Sequence, residues 1–146
     1  MKNKLFLLIA LLGTLCFVSC ASNQQFIPLP DQSRVVEDPA KGRIYVMRPA
    51  SVGSAISMDV SDDGRIIGST GPNSYLCWER PPGRTIISAK SENTTAVGVN
   101  VEAGKVNYLF LHVRLGWVIA RNILEIVSEE EGKKILKGCS PPKVIR

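Results

Sequence analysis

The sequence lacks the residues and motifs on which most catalytic and metal sites depend. It contains one histidine, His112, which excludes a metal site with two histidine ligands. It has no G-x-S-x-G nucleophile elbow, no Gly-rich nucleotide-binding loop and no C-x-x-C pair. We therefore predict that the protein is not an enzyme and uses no metal or cofactor. A hydrolase that combines His112 with an unidentified nucleophile is the alternative.

Basic clusters and long apolar runs are also scarce. The net charge is +5 over 146 residues, and no run of basic residues is longer than Lys133-Lys134. Nucleic acid recognition depends on a concentrated basic surface, so we predict no nucleic acid partner. The nearly unbroken apolar run at residues 5–18 is shorter than the ~20 residues that a membrane-spanning helix needs.

This apolar run instead has the features of an export signal. Lys2 and Lys4 precede it, and a small residue followed by Cys20 closes it. The pattern resembles a bacterial lipoprotein signal, in which residues 1–19 are removed and Cys20 is acylated. Phe17 stands where such signals commonly have Leu. An ordinary cleaved leader in which Cys20 is incidental is the alternative.

The acylated cysteine predicts where the protein is located. One acyl chain binds a membrane only marginally, and bacterial lipoproteins characteristically carry three, palmitate among them. Ala21 and Ser22 follow the cysteine, so no Asp resembles an inner-membrane retention signal. We therefore predict a protein of the bacterial envelope that is anchored through Cys20, in the outer membrane, on its periplasmic face or at the cell surface.

Residues 20–41 are predicted to be a flexible, proline-rich tether. Their three prolines lie among polar residues, and no apolar period is sustained. Prolines favour extended segments that rise about 3.1 Å per residue, so the tether would hold a domain up to ~60 Å from the bilayer. This distance is an upper bound, because Phe26, Ile27 and Leu29 are candidates for docking on the domain.

From residue 42 the sequence changes to short β-rich runs separated by turn signals. Asp63-Gly64 and Pro82-Gly83 combine residues that preset or tolerate the backbone angles of tight turns. In the longest run Leu109 and Leu111 alternate with Tyr108 and Phe110, which predicts two different faces. The predicted strands are 43–48, 55–60, 65–68, 74–80, 85–90, 97–101, 106–115 and 123–127.

One short helix is predicted to close the domain. Ser128 and Glu131 have the spacing of a capping box, and Gly138 is placed to end the helix. About seven or eight short strands without alternating long helices predict an all-β fold. We expect an antiparallel β-sandwich at residues 42–138 with one short C-terminal helix, followed by a tail at residues 139–146.

Four stretches of this domain resemble a known family. They are GRIYVMR at 42–48, PGRTI at 82–86, VEAGKVNY at 101–108 and EGK at 131–133. Together they resemble domain-of-unknown-function family 2846, small sandwich domains found mostly in bacterial lipoproteins. The Pro82-Gly83 turn into a strand is also similar to PEGA-type surface domains. The resemblance implies the sandwich fold and the envelope location, and it brings no catalytic residues.

Two cysteines remain in the exported domain, Cys77 and Cys139. Disulfides form in such a compartment, so a bridge between them is one reading. The other is one buried thiol and one free thiol in the tail. Sequence spacing does not decide, because bridging requires Cα atoms within about 7 Å of each other.

Aromatic residues are the candidate ligand-binding side chains. Tyr75, Trp78 and Trp117 could form a patch that holds a glycan or a peptide. Aromatic residues of sandwiches also fill the core, which is the alternative. We predict a lipid-anchored, non-enzymatic binding or structural module whose partner is another envelope protein or a glycan. A small-ligand carrier or a protease inhibitor is the alternative.

The stretch from Asp59 to Gly64 resembles the start of a calcium loop. Oxygen-bearing side chains alternate there before a glycine. A complete loop has a bidentate Glu at its twelfth position, where this chain has Thr70. We therefore predict a plain hairpin turn and no metal.

Overall fold

The computed structural model describes residues 23–49, 56–115 and 120–145. The predicted leader, Cys20 and Trp117 lie outside these residues. Within them the chain forms strands and one short helix, which confirms the predicted all-β fold. The elements are β1 (Gln24–Gln25), β2 (Gly42–Arg48), β3 (Met58–Asp62), β4 (Arg65–Thr70), β5 (Ser74–Arg80), β6 (Gly83–Lys90), β7 (Thr94–Val101), β8 (Val106–Leu115), β9 (Ala120–Val127), α1 (Glu129–Leu136) and β10 (Lys143–Val144).

The strands form two sheets that pack face to face. One sheet has the order β10-β1-β4-β3-β6-β7 and the other has the order β5-β2-β8-β9. Most neighbours are antiparallel, as predicted, but β2 is parallel to β8 and β1 is parallel to β10. Both parallel pairs join strands that are distant in sequence. Their direction is therefore not set by a hairpin turn, and local turn chemistry could not predict it.

The main core lies between the two sheets. In β8, Leu109 and Leu111 are fully buried in this core, and Val113 packs against it. Tyr108 lies on the opposite face of the strand, in a second cluster. The alternation predicts this arrangement, because successive side chains of a strand point to opposite faces.

The hairpin between β3 and β4 is the stretch that resembles a calcium loop. Asp63 has φ 47° and Gly64 has φ 83°, as a tight turn between antiparallel strands requires. Asp63 Oδ1 accepts a hydrogen bond from the backbone N–H of Ile86 at 2.9 Å. The prediction of a plain hairpin turn is confirmed.

Helix α1 follows β9 directly. The side-chain oxygen of Ser128 accepts a hydrogen bond from the backbone N–H of Glu131 at 3.2 Å, as the capping box predicts. The backbone N–H of Gly138 donates to the carbonyl of Ile135 after the last turn. No helix in the described parts of the chain is long and apolar enough to cross a membrane.

Residues 23–41 lie on the domain, where the sequence predicted a flexible tether. Gln25 in β1 is fully buried. Its Nε2 donates to the carbonyl of Cys77 at 2.8 Å, and its Oε1 accepts from the N–H of Cys77 at 3.0 Å. The side chain of Gln25 thus takes the place of a strand neighbour for β5. A hydropathy pattern contains no sign of such a bond.

The predicted C-terminal tail is also paired. β10 lies beside β1, with Lys143 opposite Gln24 and Val144 opposite Gln25. Ser140 forms a bridge with Ser74 at the start of β5. Both ends of the described chain therefore meet at the same edge of the larger sheet.

Candidate functional site

The outer face of the four-stranded sheet carries a second buried cluster, which we call the tyrosine face. Its buried members are Tyr45, Met47, Tyr75, Cys77 and Tyr108. The ring of Tyr45 stacks on Tyr108 with 5.6 Å between centroids and 6° between planes. It meets the ring of Tyr75 edge-on at 5.6 Å and 67°. Such an apolar surface is stable in water only when another part of the chain covers it.

Helix α1 covers one side of the tyrosine face. Ile135 and Leu136 pack against the cluster, and Gly132 is the buried residue of the helix. A Cβ atom built on Gly132 would lie 2.2 Å from Cγ of Tyr108. The backbone of α1 therefore lies directly on the Tyr108 ring.

The segment at residues 29–38 covers the other side. Leu29 packs against the cluster. Gln32 Oε1 accepts a hydrogen bond from the hydroxyl of Tyr45 at 2.8 Å, and Gln32 Nε2 lies 3.6 Å from the sulfur of Cys77. Gln32 therefore joins this segment to both β2 and β5.

The buried side chain of Arg43, in β2, also holds this segment to the sheet. The side chain of Arg43 is 1% exposed, and its Nη2 lies 2.8 Å from Oε1 of Glu79. Its guanidinium also donates to the backbone carbonyls of Asp31 and Arg34, both at 2.8 Å. One buried side chain thus binds two backbone groups that belong to no strand or helix.

Glu79 completes this arrangement. Its carboxylate, 7% exposed, accepts hydrogen bonds from the backbone N–H groups of Glu37 at 2.6 Å and Asp38 at 3.0 Å. Burial acts to raise the pKa of Glu79. The two backbone donors and the guanidinium of Arg43 outweigh burial and hold the pKa below its ordinary value of 4.5. We call Arg43 and Glu79 together the segment clamp.

A cleft of about 330 Å³ remains between the segment and the helix. Tyr45 and Tyr108, whose rings are stacked, line it. Lys133 and Glu129 stand at its helix side, and their side chains form an ion pair at 2.6 Å. The lining is completed by Gln32, Ser33, Arg34, Val35, Val106 and Leu136. An aromatic surface with polar and charged groups around it can hold a small amphipathic ligand.

Both cysteines of the domain belong to the tyrosine face, and both are free thiols in the structure. Cys77 is fully buried, and burial raises the pKa of its thiol to about 11. Cys139 is half-buried, and burial raises the pKa of its thiol as well. Thiols in such surroundings are protonated at neutral pH and therefore poor nucleophiles.

The predicted aromatic patch is not brought together by the fold. Tyr75 and Trp78 both lie in β5, but Tyr75 belongs to the tyrosine face and Trp78 to the main core. Trp78 Nε1 donates to Oδ2 of Asp62 at 2.8 Å. Trp117, the third predicted member, lies outside the described residues.

His112 lies on the outer face of β8. Its ring stacks on Phe110 at 4.5 Å between centroids. Its Nδ1 approaches Oε1 of Glu125 at 3.6 Å and makes no hydrogen bond within the part of the chain that the structure describes. The structure thus shows a carboxylate beside Nδ1 of this imidazole, and the nucleophile of a hydrolase would have to lie at Nε2 instead.

Sequence reasoning missed the segment clamp. Arg43, Tyr45 and Met47 are spaced two residues apart in β2, so a charged residue shares a face of the strand with two large apolar ones. That combination was the available signal, because a face with two large apolar residues is usually covered. Its partner Glu79 is 36 positions away, and no local pattern connects the two.

Comparison with known proteins finds little that is characterised. The family described as "Protein of unknown function (DUF2846)" matches residues 38–122. An "Uncharacterized protein" of Haemophilus influenzae is 25% identical over 139 residues, which cover 92% of this chain and 83% of the relative. No solved structure matches.

Proposed function

The chain belongs to this family of proteins of unknown function, DUF2846, and from its own residues we propose that it is a lipid-anchored, non-enzymatic module of the bacterial envelope. Cys20, at the end of an export-type leader, is the anchor. The folded domain has a binding or structural role at the membrane, with another envelope protein or a glycan as its partner. The observation that carries the proposal is the distance along the chain between Cys20 and the domain.

That distance is short because the chain is bound to the domain from its first described residues. Asn23 lies three residues after Cys20, and its side-chain amide donates to the carbonyl of Tyr75 at 3.5 Å. An extended chain rises at most about 3.5 Å per residue, so Cys20 lies within ~10 Å of Asn23. An acylated Cys20 would therefore hold the domain against the bilayer, rather than ~60 Å away.

The edge of the larger sheet at this point suits a lipid surface. Phe26, Val144 and Ile145 are each nearly half exposed there. They are neighbours, because the backbone N–H of Ile145 donates to the carbonyl of Gln25 at 3.0 Å. Lys143 adds a basic group beside them. Apolar side chains near a basic residue favour the boundary between headgroups and acyl chains.

The anchor is tested by the mass and the fractionation of the protein expressed in a bacterium. We expect the mature wild-type chain to begin at Cys20 with acyl mass and to sediment with membranes. Cys20→Ala should lose the acyl mass and the cleavage at that site. An unmodified mature N-terminus, or equal acyl mass in both proteins, overturns the proposal.

The orientation is tested by photocrosslinking to lipid. Benzoylphenylalanine replaces Phe26 in one variant and Ile86 in a matched control. Ile86 is similarly exposed but lies on β6, three strands away from β1. We expect lipid adducts from position 26 and few from position 86. Equal yields from the two positions contradict a domain that lies on the bilayer by its β1/β10 edge.

A small-ligand carrier is the second candidate, and the cleft beside the stacked tyrosines favours it. A thermal-shift screen of the purified protein against envelope glycans and short peptides tests this function. A ligand that binds the folded state raises the unfolding midpoint. Lys133→Gln should remove that rise if the cleft is the site, and Lys143→Gln, in β10 and outside the lining of the cleft, should keep it.

A further inference from the structure

Two arginines face each other in the four-stranded sheet, near the C-terminal end of β8 and the start of β9. Arg114 in β8 is paired directly with Arg121 in β9, and both are exposed. Side chains that are directly opposite on antiparallel strands have Cβ atoms about 5 Å apart, and like charges there are destabilising. The fold therefore keeps two guanidiniums close together at an energetic cost.

In the described parts of the chain no carboxylate is paired with either arginine to offset this cost. In the described ranges every side-chain ion pair joins other residues, and none includes Arg114 or Arg121. The residues outside those ranges contain no Asp or Glu, so they offer no acidic side chain either.

The two arginines line a cleft of about 450 Å³ together with Asn93, Thr94 and Thr95. Among the residues that the structure describes, no acidic side chain lines it. Its position is fixed by Asn93, whose Oδ1 accepts from the backbone N–H of Asn122 at 3.0 Å and whose Nδ2 donates to the carbonyl of Asn122 at 3.3 Å. These bonds hold the start of β7 beside β9, so the threonines and the arginines belong to one preformed cleft.

Asn122 makes the floor of the cleft rigid. It is 4% exposed, and its Nδ2 donates to the carbonyl of Ala89 at 3.0 Å. Because Ala89 belongs to the larger sheet, this bond connects the two sheets directly beneath the arginines. Arg121 is thereby attached to a fixed strand, whereas an arginine on a mobile loop would have no defined partner.

We propose that this cleft binds a phosphate monoester. The phosphate carries nearly two negative charges at pH 7, which match the two unpaired guanidiniums. Each guanidinium can donate two parallel hydrogen bonds to phosphate oxygens, and the threonine hydroxyls can donate further ones. A carboxylate carries one charge and so balances only one of the two guanidinium charges. The shared chemistry is the monoester, whether it belongs to a sugar phosphate or to a lipid headgroup.

The experiment is calorimetric titration of the purified full chain with two soluble monoesters. Glucose 6-phosphate represents sugar phosphates, and dihexanoyl phosphatidic acid below its micelle concentration represents lipid headgroups. Glucose and glucuronate are the uncharged and singly charged controls. We expect at least one monoester to bind at least tenfold more tightly than glucuronate, and the preferred monoester identifies the source. If neither does so, the proposal is overturned.

Substitutions locate the site. Arg114→Gln and Arg121→Gln should each weaken binding of the preferred monoester at least tenfold. Arg84→Gln is the matched control, because Arg84 is exposed and lies in β6 outside the lining of the cleft. Without ligand the two cleft variants should unfold no earlier than the wild type, since each removes a repulsion. Equal loss of binding in all three variants would show nonspecific attraction and overturn the proposal, as would unchanged binding in both cleft variants.

Discussion

Replacing Gly132 with alanine tests whether α1 lies directly on the ring of Tyr108. The added Cβ would be 2.2 Å from Cγ, 2.5 Å from Cβ and 2.6 Å from Cδ1 of Tyr108. Carbon atoms in favourable contact are about 3.5–4.0 Å apart, so the helix or the ring has to move by more than ~1 Å. The ring cannot move away freely, because Tyr45 is stacked on it.

The magnitude follows from two opposing terms. Alanine in place of glycine inside a helix stabilises it by about 1 kcal/mol. Forcing extra atoms into a packed contact costs about 1–3 kcal/mol, and more where the neighbours cannot yield. The tyrosine ring and the helix backbone are both confined, so we expect the upper part of that range. The net loss is then about 1–2 kcal/mol, which lowers Tm by several degrees in a domain of this size.

The measurement is thermal denaturation followed by circular dichroism, with Gly138→Ala as the matched control. The nearest atom to a Cβ at Gly138 is the carbonyl oxygen of Ile135 at 3.5 Å, which is an ordinary contact. Gly138→Ala should therefore leave Tm almost unchanged. If Gly132→Ala raised Tm, or matched its control, the helix would not lie on the ring and the covered tyrosine face would be wrong.

Two further predictions concern the same face. Glu79→Gln should lower stability most at neutral pH: the pKa of Glu79 is held below 4.5, so its contribution is complete above that pH and is lost as the pH falls through the lowered pKa. Urea denaturation at pH 7 and pH 3 should show the difference from wild type shrinking at pH 3, and an unchanged difference would contradict the segment clamp. In the native protein a thiol reagent at neutral pH should modify Cys139, which is half-buried, well before Cys77, which is fully buried. Mass spectrometry of partly labelled protein reads the order, and first labelling of Cys77 would contradict the buried position beneath Gln32.

The elements that the sequence predicts well are those whose signals are local. β5 and β8 have the predicted bounds, and the turn at Asp63-Gly64 adopts the positive φ angles that its residues favour. The N-terminus of α1 follows from Ser128 and its spacing to Glu131. In each case the residues that decide the structure lie within a few positions of one another.

The features that the sequence does not predict depend on partners far away in the chain. The bonds of Gln25 to Cys77 span 52 positions, and Arg43 and Glu79 are 36 positions apart. The segment that they hold is rich in proline and polar residues, which is typical of flexible linkers. Composition predicts how flexible such a segment is in isolation. Here the buried side chains of Arg43 and Glu79 form hydrogen bonds with the backbone of the segment, and composition cannot reveal these bonds.

The segment clamp is better explained by the place in which it holds residues 29–38 than by what it adds to the free energy of unfolding. A buried ion pair contributes little more than an apolar pair of the same volume, because removing two charges from water costs about as much as their attraction returns. An apolar pair, however, could not bind the backbone groups of Asp31, Arg34, Glu37 and Asp38, which Arg43 and Glu79 do. Without those bonds Leu29 and Gln32 would still hold the segment to the sheet, but its backbone would lose these four partners. On the proposed function the distance from Cys20 to the domain is set by β1, because Asn23 and Gln25 are bound to the domain ahead of this segment. The clamp therefore determines where this segment lies on the tyrosine face and does not set the distance to the membrane.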